Sequence, residues 1–181
     1  MRNNLSAKIS VVFLALFGFS YGAFAQEEVI NQGNMIINAG IGAGSWISHK
    51  DYSMKLFPVV GSFEYCVADL FDSRGAIGIG GYAAYAFFGS NDKNLSLNIN
   101  NLILGARGLF HYEFVNNLDT YAGLALGFNI TTYPNTNIDF KGKPYLGGFI
   151  GARYFITNNI GVFGELGYGI SPLEVGVCYI F

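Results

Sequence analysis

The sequence predicts an all-β protein, an eight-stranded antiparallel up-and-down transmembrane β-barrel preceded by a cleaved signal peptide. Three observations lead to this fold class. Apolar residues alternate with small or polar residues through eight segments, which is the pattern of β-strands with two unlike faces. The connections between segments alternate between short turns and longer polar stretches. Finally, 51% of the residues are hydrophobic and only 12% are charged, about half the charged share of a soluble domain.

The composition also excludes several classes of protein. The chain contains 17 Phe, 12 Tyr and 25 Gly, whereas disordered chains are poor in aromatic residues and rich in charge. Its net charge of −2 provides no basic surface, so nucleic acid is not an expected partner. A soluble enzyme would also carry more charge on its surface than this chain can supply.

The N-terminus has the three parts of a signal peptide. Arg2 and Lys8 provide a positive region, residues 11–19 form an apolar stretch too short to cross a bilayer as a helix, and Ala23-Phe24-Ala25 fits a cleavage site. We therefore divide the chain into a signal peptide (1–25), a short N-terminal lead-in (26–33) and a barrel domain (34–181). The alternative is an uncleaved N-terminal anchor. Cleavage would remove two positive charges and lower the net charge from −2 to −4.

In the first four segments, one face is apolar and the other consists mostly of glycine and polar residues. The apolar faces comprise Ile37, Ala39, Ile41 and Ala43, then Val59, Phe63, Tyr65 and Val67, then Ile77, Ile79, Ala83, Tyr85 and Phe87, and then Leu102, Leu104, Ala106, Phe110 and Tyr112. Side chains at every second position share one face of a strand. Each of these segments is therefore predicted to be a strand with one apolar face.

The last four segments repeat the pattern and make the count even. Their apolar faces comprise Ala122, Leu124, Leu126 and Phe128, then Leu146, Ile150, Ala152, Tyr154 and Ile156, then Val162, Leu166 and Tyr168, and finally Leu173, Val175, Val177, Tyr179 and Phe181. An even number of strands of about 10 residues is expected of a bacterial membrane barrel.

The connections predict which strand ends lie together. Short turns are predicted at 69–74, 115–118 and 157–159, and a fourth short connection at 169–172, whereas longer polar loops are predicted at 47–55, 89–100 and 131–144. Asn and Asp in the short connections suit tight turns. Short turns at one end and long loops at the other indicate that the long loops face outside the cell.

The small and polar face carries charges of both signs. These residues are Glu64, Arg107, His111, Glu113, Arg153, Glu165 and Glu174. A soluble barrel or sandwich would turn its charges outward and its apolar face inward. The glycine-rich face instead suits the narrow interior of an eight-stranded barrel, where isolated charges would be costly. We therefore expect these residues to pair with one another inside the lumen, and the alternative of a soluble secreted β-domain leaves the apolar face uncovered.

The C-terminus carries the most specific pattern. The chain ends at Phe181, and Tyr179, Val177 and Val175 precede it at every second position. Together with residues 101–108 (NLILGARG) and 119–124 (DTYAGL), this ending resembles the small outer-membrane β-barrels of Gram-negative bacteria, of the OmpX, OmpW and OmpA-barrel type. The resemblance implies residence in outer-membrane lipid and assembly by the barrel assembly machinery, which would read the C-terminal residues as a signal. It implies no defined activity.

The sequence offers little for catalysis or for a cofactor. Of the two histidines, His49 lies in a predicted loop and His111 lies on the inner face two places before Glu113. His111 and Glu113 form either a proton-transfer pair or, as we favour, a lumen hydrogen-bond pair. No Ser, His and acid cluster stands out, and His49 with Asp51 provides too few ligands for a metal. We expect no catalytic, cofactor or metal site, and we expect Cys66 and Cys178 to be buried free thiols.

Three functions fit the predicted barrel. The leading hypothesis is a structural or surface-interaction protein whose loops 47–55, 89–100 and 131–144 would meet an extracellular ligand. The alternative is a narrow pore, or a transporter of a small hydrophobic solute. A lipid-modifying enzyme is the third and least favoured, because the sequence lacks an evident pair of nucleophile and base.

Overall fold

The protein is a closed antiparallel β-barrel, seen in a computed structural model that describes residues 29–71, 74–90, 98–132 and 141–181. Its strands are β1 (Met35–Ala43), β2 (Tyr52–Leu70), β3 (Gly75–Ser90), β4 (Asn98–Val115), β5 (Leu118–Thr132), β6 (Lys141–Phe155), β7 (Ile160–Tyr168) and β8 (Leu173–Ile180). Each strand pairs with the next, and β8 pairs with β1. The predicted eight-stranded up-and-down barrel is confirmed, while the predicted signal peptide lies outside the described residues.

The alternation in the sequence becomes an inside and an outside. Along β1, Ile37 is exposed and Asn38 is buried, and the same alternation runs through the other strands. The outer surface carries large exposed apolar side chains, among them Phe63, Leu104, Leu126, Ile150 and Val177. The inner face is crowded, because a Cβ added to Gly80 would lie 1.9 Å from the carbonyl oxygen of Phe63. Small residues therefore set how closely the strands pack.

The two ends of the barrel differ. One end, called here the turn end, carries the connections 71–74, 116–117 and 156–159 and both ends of the described chain. Asn117 adopts a positive φ of 64°, a conformation that Asn tolerates better than most residues. The opposite end, called here the loop end, carries the connections 44–51 and 169–172, together with the ends of β3, β4, β5 and β6 that flank residues 91–97 and 133–140.

The strands are longer at the loop end than the sequence pattern predicts. The predicted loop 47–55 is partly strand, because β2 begins at Tyr52; the predicted loop 89–100 contains the end of β3 and the start of β4; and the predicted loop 131–144 contains the end of β5 and the start of β6. All three loop boundaries were therefore wrong. The apolar alternation stops where the outer surface becomes polar, whereas the hydrogen-bonded ladder continues beyond that point.

The wall of the barrel has an uneven height. β7, β8 and β1 contain 9, 8 and 9 residues, whereas β2 to β6 contain 15 to 19. Pairing of β6 with β7 starts at Gly148 and Tyr168, and pairing of β1 with β2 reaches only Ile41 and Val59. The β2–β6 wall therefore projects past the three short strands at the loop end.

Within the described residues, no helix has the length and apolar character needed to cross a bilayer.

Candidate functional site: the lumen charge clusters

The inside of the barrel collects the charged residues that the sequence assigned to it. All seven are buried, namely Glu64, Arg107, His111, Glu113, Arg153, Glu165 and Glu174. Six of them form two clusters at different heights, whereas Glu113 bonds the amide of Val29. We call the one nearer the turn end the Arg153 cluster and the one nearer the loop end the Arg107 cluster, after their central cations.

The Arg153 cluster joins five strands across the lumen. Arg153 is fully buried and contacts the carboxylates of Glu64 at 2.7 Å and Asp119 at 2.9 Å. Its Nε donates to Oδ1 of Asn38 at 3.2 Å, and its guanidinium lies 4.2 Å from the centre of the Tyr121 ring. One cation, Arg153, therefore connects β1, β2, β5 and β6. His111 connects β4 to the same cluster.

His111 completes this cluster from the other side of the carboxylates. Its Nε2 contacts Oε1 of Glu64, and its Nδ1 lies 3.0 Å from Oδ1 of Asp119. Both ring nitrogens therefore face carboxylate oxygens, an arrangement in which both must donate. Glu113, the partner that sequence spacing favours, accepts a hydrogen bond from the Val29 amide at 3.1 Å.

The Arg107 cluster is built from an ion pair, two tyrosines and a second glutamate. Arg107 contacts Glu165 at 2.6 Å, and Tyr121 donates to the other oxygen of Glu165 at 2.9 Å. The guanidinium of Arg107 lies 3.7 Å from the centre of the Phe149 ring. Glu174 accepts a hydrogen bond from Tyr82 at 2.7 Å.

The turn end of the lumen is covered by the residues that precede β1. Ile30 is buried in the apolar core. The amide of Gly33 donates to the Cys66 carbonyl, and the amide of Cys66 donates to the Asn34 carbonyl. The part of the predicted lead-in that the structure describes thus packs against the barrel and extends the β1–β2 ladder.

At the loop end, the connection between β1 and β2 folds inward over the lumen. His49 lies 2.9 Å from Asn101 through its Nε2 and makes an edge-to-face contact with Phe88, with ring centres 5.2 Å apart. Asn101 in turn accepts a hydrogen bond from Thr131 at 2.9 Å. Burial lowers the pKa of His49 below its ordinary value of 6.5, and the positive charge of Lys143 acts in the same direction.

The four residues of the predicted C-terminal signal lie together on the outer surface. Val175, Val177, Tyr179 and Phe181 are all exposed, and the Tyr179 and Phe181 rings contact each other edge to face at 4.7 Å. The Phe181 amide donates to the Met35 carbonyl at 2.9 Å. The last residue is therefore hydrogen-bonded to the first strand.

Both cysteines are buried and free. Cys66 hydrogen-bonds through its backbone to Asn34, and Cys178 pairs with Asn38 four residues further along β1. Four residues of strand correspond to roughly 13 Å, which is beyond the reach of a disulfide.

Sequence reasoning missed two members of the Arg153 cluster as site residues. Asp119 precedes Tyr121 by two positions, so extending the inner-face alternation of β5 by one step would have found it. Asn38 was placed on the inner face, but its bond to Arg153 crosses the lumen. Such a contact depends on how the strands are staggered around the barrel, which the alternation does not reveal.

The clusters are suited to holding strands together. Within the described residues, no group of three or more His, Cys, Asp and Glu side chains is arranged to hold a metal ion. Both nitrogens of His111 are occupied by carboxylates, so neither is left to take a proton from a nucleophile. The arrangement neutralises charge inside the lumen and links strands that are not neighbours.

Comparison with known proteins finds likeness in structure. No protein-family model matches the sequence, and the search of curated proteins gives no match. Ail, the attachment invasion locus protein of Yersinia pestis, in complex with the heparin analogue sucrose octasulfate, matches with a TM-score of 0.57 at 13% identity, over 83% of this chain and 99% of Ail. The chain has the fold of a small outer-membrane β-barrel.

Two further structures are similar. The outer-membrane protein Ail of Yersinia pestis in a phospholipid bilayer nanodisc matches with a TM-score of 0.50 at 14% identity, covering 83% of this chain and all of that one. The outer-membrane protein OprG from Pseudomonas aeruginosa matches with a TM-score of 0.45 at 13% identity, over 83% of this chain and 97% of OprG. At these identities the likeness concerns the fold.

Proposed function

We propose that the protein resides in the outer membrane and acts at the cell surface, through the part of its wall that projects beyond the membrane. The observation that carries this proposal is a barrel whose lumen is filled by ion pairs while its wall extends past one rim. A filled lumen suits an anchor better than a conduit, and a projecting wall offers contact area outside the bilayer.

The outer surface supports residence in a membrane. Large apolar side chains are exposed along the strands, while the charged residues of both lumen clusters are buried inside, the reverse of a soluble barrel. β8 has only eight residues, which at a tilt of about 40° span roughly 20 Å. The short strands are therefore only about as tall as the apolar band that contacts lipid in such barrels. The extra residues of β2 to β6 lie beyond this band.

The two ends of the barrel support an orientation. Short turns at one end are typical of the periplasmic side of such barrels. The loop end would then face outside, with the projecting β2–β6 wall and the connection that contains His49. Ail, which shares the fold, binds a heparin analogue, and this supports a role in contacting extracellular ligands.

Two further features complete the proposal. The C-terminal residues Val175 to Phe181 would be read by the barrel assembly machinery, and the outer surface would contact outer-membrane lipid. We infer no catalytic role, because both ring nitrogens of His111 are engaged by carboxylates. The Arg107 and Arg153 clusters cross the lumen at two heights, so a narrow pore is the less favoured function.

Cysteine labelling tests the orientation. Lys50→Cys at the loop end is expected to react with a membrane-impermeant maleimide on intact cells. Asn158→Cys at the turn end is its matched control, expected to react only after the outer membrane is opened; both positions are exposed, and the two native cysteines are buried. If only Asn158→Cys is labelled on intact cells, the orientation is the reverse of the one proposed. Recovery of the protein from the periplasm would refute membrane residence.

Conductance tests the role of the lumen. Native protein in planar bilayers is expected to give no steady current, because the ion pairs of both clusters occupy the cross-section. The double variant Arg107→Ala/Arg153→Ala, confirmed as folded by the mobility of unboiled protein on a detergent gel, should conduct more than the native protein. A steady current through the native protein would instead favour the narrow pore.

A further inference from the structure

A half-open cavity lies inside the loop end, beside the turn between β7 and β8. We call it the rim cavity. Its enclosed part has room for about one water-sized group, and the rest of a total of about 300 Å³ is open to solvent. Arg107, Glu165 and Glu174 contribute its charged groups, and Tyr82, Tyr145 and Phe149 contribute aromatic walls. It lies where β6 extends past the end of β7, so the low part of the rim gives access to it.

Glycines at the mouth of the rim cavity make room for the side chain of Tyr145. A Cβ added to Gly169 would lie 2.9 Å from the hydroxyl oxygen of Tyr145, and one added to Gly147 would lie 2.3 Å from it. The hydroxyl of Tyr145 therefore occupies room that these glycines leave free. A single methyl group at Gly169 would have to displace the end of the Tyr145 side chain.

The polar groups of the cavity include a donor without a partner. Arg107 is 5% exposed, and its Nε has no hydrogen-bond partner among the described residues. Its Nη2 is committed to Glu165. Buried donors are almost always satisfied, so a group that accepts a hydrogen bond belongs next to Arg107.

The charge of the cavity limits what that group is. One arginine faces two glutamates, which pair directly across β7 and β8, so the cavity has no excess positive charge. An anion would find Arg107 already paired with Glu165, and a cation would be repelled by Arg107. A hydroxyl group satisfies both, since it accepts from Nε of Arg107 and donates to a carboxylate.

We propose that the rim cavity binds an uncharged saccharide. One hydroxyl of the sugar enters between Arg107 and Glu174, and the sugar ring lies against Tyr145 at the mouth. Aromatic walls provide an apolar surface for the C–H face of the ring, while a few convergent polar groups fix its orientation. This site differs from one for a sulfated polysaccharide, because its one cation is already paired with a carboxylate.

The chain contains a reporter for this site. Trp46 is its one tryptophan, and the indole Nε1 donates to the carbonyl of Gly167 at 3.0 Å. Gly167 lines the rim cavity, and the Trp46 ring lies 5.8 Å from the ring of Tyr168, which also lines it. A ligand in the cavity is therefore expected to change the fluorescence of Trp46.

The experiment titrates the full mature chain in detergent micelles free of lipopolysaccharide. The probes are the methyl glycosides of glucose, galactose and mannose, with sucrose and sucrose octasulfate as a neutral and an anionic pair of the same skeleton. At least one neutral sugar is expected to give a saturable change with a Kd of about 1–10 mM, a typical range for a small ligand with few contacts. Sucrose octasulfate should bind at least about tenfold more weakly than the best neutral probe.

Two variants test the groups that carry the proposal. Glu174→Gln removes a carboxylate acceptor, and Gly169→Ala displaces the end of the Tyr145 side chain at the mouth; each is expected to weaken binding by about tenfold or more. Gly108→Ala is the matched control for Gly169→Ala, since nothing lies within 4 Å of its added Cβ. Tyr85→Phe is a second control at the loop end, where Tyr85 bonds Asn100. Folding of each variant is checked by unboiled mobility, and Glu174→Gln decides the matter if Gly169→Ala does not fold.

Three results would overturn the proposal: no saturable response to any neutral sugar, equal or tighter binding of sucrose octasulfate, or native affinity in Glu174→Gln. Any of these would leave ordered water as the occupant of the cavity.

Two further arms identify the source of the sugar. If lipopolysaccharide supplies it, bilayers containing lipopolysaccharide should suppress the titration that phospholipid bilayers retain; if soluble or host saccharides supply it, the titration should persist in both.

The inference rests on the proposed orientation only for how a sugar reaches the cavity. Binding in micelles together with labelling of Asn158→Cys alone on intact cells would support the site and refute the orientation. Labelling of Lys50→Cys on intact cells without binding in micelles would do the opposite.

Discussion

Removal of the positive charge of Arg153 is expected to destabilise the barrel strongly. The substitution Arg153→Met keeps most of the side-chain length and removes the guanidinium. It deletes the charged contacts to Glu64 at 2.7 Å and Asp119 at 2.9 Å, in a position with no solvent exposure. His111 stays between the two carboxylates and balances one of them, so one buried negative charge is left without a cation.

The structure allows the magnitude to be worked out in two ways. Two charge-assisted hydrogen bonds at about 1.5–3 kcal/mol each give a loss of roughly 3–6 kcal/mol. Breaking a buried ion pair from one side costs about 3–5 kcal/mol. The two figures describe the same loss and agree, so the free energy of unfolding should fall by about 3–5 kcal/mol.

The assay is urea unfolding in lipid vesicles, followed by Trp46 fluorescence and by mobility on a detergent gel. Arg74→Met is the matched control, because Arg74 is exposed at the turn end, and it should change stability by less than about 0.5 kcal/mol. The double variant Arg153→Met/Glu64→Gln removes a carboxylate along with the cation and should recover part of the loss. A loss below about 1 kcal/mol in Arg153→Met would refute the conclusion that the Arg153 cluster is desolvated.

Three further predictions follow from other parts of the barrel. Gly80→Ala should prevent or slow refolding into micelles, because its Cβ would meet backbone atoms that cannot move aside, whereas Gly108→Ala should refold normally; equal yields would contradict the packing of the inner face. The lowered pKa of His49 means that the neutral ring favours the docked connection, so docking should be complete above pH 6.5 and weaken as the pH falls below it; a His49 ring whose NMR titration midpoint is at or above 6.5 would contradict this. Cys66 and Cys178 should both resist a maleimide in the folded barrel, and both should react after unfolding without reductant. If neither reacts after unfolding until reductant is added, the two cysteines form a disulfide and this structure is contradicted.

The alternation of side chains was enough to predict the fold because a membrane barrel repeats one rule along every strand. Ile37 and Asn38 illustrate it, since the residue facing lipid must be apolar and its neighbour must fit a narrow interior. The rule failed at the loop end, where Tyr52 to Lys55 and Lys141 to Pro144 are strand. Beyond the membrane the outer face of a strand meets water and no longer has to be apolar, so hydrogen bonding continues without an alternation to reveal it.

The members of the lumen site were predictable, but their partners were not. The two-residue repeat of a β-strand places His111 and Glu113 on the same face, so the sequence was enough to predict that both point into the lumen. The structure gives His111 carboxylate partners from other strands, Glu64 and Asp119. Which inward residues meet across the lumen depends on the stagger of the eight strands. No short-range pattern in the sequence specifies this stagger.

The closure of β8 onto β1 has a consequence for how the molecule can fold. Ile36 pairs with Ile180, so the first and last strands meet only after synthesis has produced nearly every residue of the domain. Neighbouring hairpins are local and can form early, whereas this seam requires the largest sequence separation in the barrel and is expected to form late. Until then two strand edges stay open and able to pair with another chain. The time before closure is thus when the protein is most prone to aggregate, and a chaperone that covers those edges would protect it then.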